Sequence, residues 1–139
     1  MGISPEVAPV YEHSRRAVRV DATSGIGEPR VTNQPRGTTM IVVNGIFETD
    51  ADSIDAIRSA LAEMEVACKA ENGCHDYTFS VEVNNPNVIR LTEKWDDLDA
   101  LREHFRQPHM SILRDAMSKH PPKSSQVSFF EATEIEPPR

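Results

Sequence analysis

The chain has 139 residues, a one-domain length that supports a hydrophobic core without disulfide or metal staples. Its 15 Lys and Arg against 22 Asp and Glu give a net charge of -7, which argues against the basic stripe of a nucleic-acid binder and against attraction to an anionic membrane. Hydrophobic residues make up 38%, yet no run approaches the ~20 apolar residues of a membrane-spanning helix.

Residues 1–36 carry Pro5, Pro9, Pro29 and Pro35 with Gly25 and Gly27, and show no sustained hydrophobic period. They are expected to form an extended, flexible arm, with only Val18-Arg19-Val20 suited to brief strand pairing. Ser14-Arg15-Arg16 resembles a twin-arginine export signal, but the polar Asp21-Ala22-Thr23-Ser24-Gly25 replaces the apolar stretch such a signal needs. Cys68 and Cys74 are too few for a disulfide framework and lack metal-ligand spacing. They read as buried thiols in a reducing compartment, so a cytoplasmic location is expected.

The domain proper is expected over residues 37–139. Thr39 to Phe47 is apolar and β-branched, the pattern of a buried strand. Thr49-Asp50-Ala51-Asp52 is a helix-start cluster, and Ile54, Ile57, Leu61, Met64 and Cys68 follow at helical spacing until Asn72-Gly73 stops the helix. Cys74 to Val83 alternates, with His75, Tyr77, Phe79, Val81 and Val83 on one side. A turn at Asn84–Asn87 leads to a third strand from Val88 to Trp95. Asp96 is the expected cap of a second helix carrying Leu98, Leu101 and Phe105. Pro108 interrupts it before a further stretch with Met110, Leu113 and Met117, and Val127 to Ile135 is the last strand.

The order β-α-β-β-α-β predicts an α+β, ferredoxin-like domain, with the helices on one face of an antiparallel sheet. Ile41, Val43, Ile89 and Leu91 alternate with apolar neighbours, so both sheet faces read as apolar. Helices cover only one of them, and a homodimer through the sheet faces is expected.

His104 and His109 are the residues best suited to acid–base chemistry, because an imidazole exchanges protons near neutral pH. His104 lies three residues after Leu101, near the apolar stripe of its helix. Their i, i+5 spacing across Pro108 is not that of paired metal ligands on one helix, and with no carboxylate nearby at ligand spacing no metal is expected. Asn44, Tyr77, Trp95 and Phe105 are the candidate substrate-binding residues, within a lining that includes Val42, Phe79, Leu101 and Met110. Each also has a structural role open to it: core packing for Trp95 and Tyr77, and an amide bonded to backbone near Gly45 for Asn44. No phosphate loop, nucleotide fingerprint or Gly-x-Ser-x-Gly motif appears.

Four motifs carry a family resemblance: Asn72-Gly73-Cys74-His75-Asp76-Tyr77, Asn85-Pro86-Asn87, Leu91-Thr92-Glu93-Lys94-Trp95-Asp96-Asp97 and His104-Phe105-Arg106-Gln107-Pro108-His109. Residues 38–135 resemble the antibiotic biosynthesis monooxygenase superfamily, which implies a dimeric α+β barrel. Haem degraders of that superfamily use a first-strand Asn, a helix Trp and an axial helix His. Asn44 matches the first, but His104 stands at the Trp position and Arg114 near the axial His, so the resemblance implies no haem. It implies instead a cofactor-independent monooxygenase that oxidises a small electron-rich aromatic of the quinol or anthrone type with O2, with His104 or His109 as base. The alternatives are an isomerase of a small carbonyl compound and a non-catalytic, ligand-binding dimer.

Overall fold

The computed structural model describes residues 37–139, and the N-terminal arm expected over residues 1–36 lies outside them. The elements are β1 (Thr39–Glu48), α1 (Ala51–Lys69), β2 (Cys74–Glu82), β3 (Asn85–Trp95), α2 (Leu98–Arg106), α3 (Met110–Lys119) and β4 (Ser124–Thr133). The strands form one sheet in the order β2-β3-β1-β4, with every neighbouring pair antiparallel. This is the ferredoxin-like α+β arrangement expected from the sequence, with the second helical segment split into α2 and α3.

Local chemistry sets the element ends. Asp50 caps α1 by accepting a 2.8 Å bond from the Ser53 amide. The cap of α2 is Asp97, whose carboxylate accepts from the Ala100 amide, and not Asp96 as expected. Gln107 leaves the helix with ψ 139, because a residue before proline is pushed from helical to extended backbone. The chain thus turns between α2 and α3 instead of running straight through. The Asn85-Pro86-Asn87 motif has a structural role: the Asn87 carbonyl accepts from the Thr49 amide and its side-chain oxygen from the Ala51 amide, fixing the start of α1.

The core lies between helices and sheet. Ile41 and Val43 of β1, Tyr77 of β2, and Leu91 and Trp95 of β3 meet Met64 and Cys68 of α1, Leu101 of α2 and Met110 of α3. Ile41, Val43, Ile89 and Leu91 all turn toward the helices, so the expectation of a sheet apolar on both faces needs correction. On the open face β1 presents Met40, Val42, Asn44 and Ile46, with Phe130 and Ala132 of β4 opposite Val42 and Met40. Beside them β3 presents Arg90, Thr92 and Lys94, and Arg90 pairs with Glu82 of β2. Over β1 and β4 the open face carries the apolar Met40, Val42, Ile46, Phe130 and Ala132, interrupted by Asn44, Gln126 and Ser128, and over β2 and β3 it is polar. No helix of the described residues is long and apolar enough to cross a membrane.

Candidate active site

The site forms where the last turn of α1, the start of β2 and the end of β3 meet the break between α2 and α3. Gly73 opens it. Its φ of 81 lies in the left-handed region, and a Cβ there would stand 2.7 Å from the Ala100 Cβ. The tight approach lets the Gly73 carbonyl accept from the Asp96 amide at 2.8 Å, which ties the α1–β2 turn to the end of β3. A register shift between Cys74 and Asp76 then turns both Cys74 and Tyr77 into the core. His75, expected on the same side as Tyr77, instead contacts the Asp96 carboxylate.

Glu71 is the centre of the arrangement. One of its oxygens, Oε1, lies 2.9 Å from His104 Nδ1 and 2.6 Å from His109 Nε2. A carboxylate oxygen only accepts, so both rings donate to it. In a neutral ring the remaining nitrogen, Nε2 of His104 or Nδ1 of His109, then keeps the lone pair, so the carboxylate selects the tautomer. Cys68 completes the group, and its donor atom lies within 4.8 Å of the other three. Burial, reinforced by the Glu71 charge and a hydrogen bond to it, pushes the Cys68 thiol far above the usual thiol range.

An aromatic wall backs this cluster. The His104 ring lies 4.7 Å from Trp95, 5.5 Å from Tyr77 and 5.4 Å from Phe105, centroid to centroid. Trp95 is fully buried and donates its indole N–H to Glu93 at 2.8 Å. Burial raises the Glu93 carboxyl to about 7, against the opposing pull of the Trp95 bond and with support from the Glu71 charge. Burial and the same Glu93 charge push the Tyr77 phenol well above its ordinary value.

The structure therefore brings together His104, His109, Tyr77, Trp95 and Phe105. Asn44 stands apart, exposed on the open sheet face, where it lines a 420 Å³ depression with Arg90, Gln126 and Phe130. Val42 is on that face too, and so does not line the helix–sheet space. That space is filled by core side chains around His104, which is 1% exposed, while the His109 side chain is 19% exposed at the rim. The expectation of no carboxylate near the two histidines is overturned by Glu71. Glu93 had a legible signal, an acid at an inward position between Leu91 and Trp95. Glu71 and Cys68 had none, because only the turn at Gly73 and the break at Pro108 bring them to the histidines.

The antibiotic biosynthesis monooxygenase family model matches residues 40–115, more than half of the chain. The chain belongs to the antibiotic biosynthesis monooxygenase family. The matched residues contain the entire cluster and its aromatic wall, and leave out β4. Solved structures show the same fold. A candidate antibiotic biosynthesis monooxygenase from Deinococcus radiodurans is 24% identical, with 71% of this chain and 98% of that one covered at a TM-score of 0.65. A second, from Nitrosomonas europaea, is 15% identical, with 71% and 94% covered at a TM-score of 0.63. A conserved protein of unknown function from Bacteroides thetaiotaomicron is 18% identical, with 68% and 99% covered at 0.62. No curated protein matches the chain.

Proposed function

We propose that this family member is a cofactor-independent monooxygenase of a small electron-rich aromatic, a quinol or an anthrone, with His109 as general base. The observation that carries the reading is the shared carboxylate oxygen between two imidazoles, set against an aromatic wall. Of the two histidines, His109 is the one that solvent, and hence substrate, reaches. Phe105, 53% exposed and packed at a tilt against His104, offers an apolar ring beside the site. Glu71 orients the His109 ring and stabilises the imidazolium formed when it takes a proton. His104 holds Glu71 from the inner side and is a positioning residue.

The chemistry balances without an added electron carrier. For an anthrone, His109 takes a proton from the ring CH2, and the carbanion gives one electron to O2. The resulting radical and superoxide combine to a peroxide. Loss of water converts that carbon to a ketone, so one oxygen atom of O2 enters the product and the other leaves as water. The functional unit in this reading is a homodimer in which a second copy covers Met40, Val42, Ile46 and Phe130.

Oxygen consumption by chelator-treated protein with a panel of quinols and anthrones tests the reading. Uptake matched by ketone or quinone is expected, with His109→Ala slower by about 100-fold or more. Turnover that proceeds equally well under nitrogen would replace it with the isomerase reading. Full activity in His109→Ala would remove the base assigned here.

A further inference from the structure

We propose that Cys68, Glu71, His104 and His109 form a binding site for a divalent transition metal of the zinc type. The inference goes beyond the oxygenase reading and does not depend on it.

Four donors of three kinds converge here from two separate stretches of chain. Cys68 and Glu71 come from the end of α1 and the residues just after it. His104 and His109 come from either side of the α2–α3 break. Their donor atoms, one sulfur, one carboxylate oxygen and two imidazole nitrogens, all lie within 4.8 Å of one another. Zinc bonds of ~2.0–2.3 Å in a tetrahedron place donors about 3.3–3.8 Å apart, so the widest pair closes by roughly 1 Å to hold an ion. The His104–Glu71 and His109–Glu71 contacts, at 2.9 and 2.6 Å, need to open slightly instead. In the metal-free arrangement, imidazole N–H groups point at the shared oxygen. A metal at that point replaces those protons, and each ring carries its proton on the other nitrogen.

The donor set selects the ion. A sulfur and two imidazoles disfavour magnesium and calcium, which take oxygen ligands, and suit zinc. The aromatic wall formed by Trp95 and Tyr77 shields the inner side. His109, whose side chain is 19% exposed, leaves an entry path at the rim, while the Glu71 side chain, 8% exposed, lies just behind it. Four protein ligands close the tetrahedral shell, which is the form of a structural or regulatory site, with no position left for substrate. Bound zinc would clip the end of α1 to the α2–α3 break. If the oxygenase reading also holds, the ion takes both imidazoles out of acid–base service and the zinc-loaded protein is inactive.

Calorimetric titration of the chelator-treated full chain with zinc tests the site, with cobalt(II) absorption as the report on donors. One ion per chain is expected, and cobalt should give tetrahedral visible bands with a thiolate charge-transfer band. His109→Gln, at the rim, should weaken binding at least about tenfold. Cys68→Ser should abolish the charge-transfer band. Thermal melts of each variant establish that it is folded, and the His109 variant alone suffices if the buried Cys68 substitution unfolds the chain. No binding, unchanged affinity in His109→Gln, or a cobalt spectrum without the thiolate band in the unsubstituted protein would overturn the four-donor site. None of these readouts requires turnover, so a failed oxygen-uptake assay leaves the result intact.

Discussion

The two faces of β1 obey opposite rules. On the helix side Ile41 and Val43 are almost completely buried, and polar groups are buried with them. Glu93 accepts from Trp95, and His104 meets Glu71. On the open side the polar Asn44 is exposed, while Phe130 on β4 remains 50% exposed. A buried polar group without a partner costs ~1–3 kcal/mol, so a core that holds a histidine and a carboxyl must satisfy each of them. An exposed apolar strip calls for a covering surface. The helix side is therefore where the proposed chemistry is placed, and the open side is where a second molecule is expected.

The largest effect that sharpens this contrast is at Trp95. Trp95→Ala removes the largest fully buried side chain and leaves Glu93 without its donor. Urea denaturation should show a loss of about 3–5 kcal/mol, and a loss below about 1 kcal/mol would mean the helix side is not packed as described.

A smaller, pH-dependent effect belongs to Glu93. Its carboxyl is raised from the ordinary 4.5 to about 7, so the folded chain holds its proton more tightly than the unfolded chain does. The resulting stabilisation is complete below pH 4.5 and is lost as pH rises toward 7, by up to ~3 kcal/mol. Glu93→Gln keeps an acceptor for Trp95 and removes the ionisation. Its stability relative to the unsubstituted protein should rise between pH 5 and pH 8, and parallel pH curves would show that Glu93 is not held in a poorly solvated site.

The smallest effect on folding is expected on the open face. Val42→Glu places a charge on the half-buried strip beside Phe130. It should change the stability of a single chain by no more than about 0.5 kcal/mol. Light scattering should nevertheless show the proposed dimer shifted to monomer. An unchanged mass would mean that this strip is not the interface.

The fold was legible because its signals are local and periodic. The helical spacing from Ile54 to Cys68 and the alternation through Tyr77 and Phe79 need no knowledge of tertiary structure. Local patterns erred where a single residue shifts register. The bulge at Cys74–Asp76 separates His75 from Tyr77, and the α2 cap falls on Asp97, which frees Asp96 to meet His75. The candidate site was legible only in part. His104 stood out as a histidine near an apolar stripe, and Trp95 and Tyr77 as aromatics on inward positions. Asn44 was the same kind of signal, a polar residue in an apolar strand, but the strand's parity places it on the open face. Glu71 lies 33 and 38 positions from the histidines it joins, and nothing local connects it to them.

The most direct test of the central claim is the origin of the oxygen in the product. Chelator-treated protein is supplied with an anthrone under ¹⁸O2, and the product is analysed by mass spectrometry. One labelled oxygen in the ketone is expected, and formation of labelled product should slow with His109→Ala. Unlabelled product, its oxygen drawn from solvent water, or equal labelled turnover in His109→Ala, would contradict the assignment of this imidazole–carboxylate cluster as the oxygenase site.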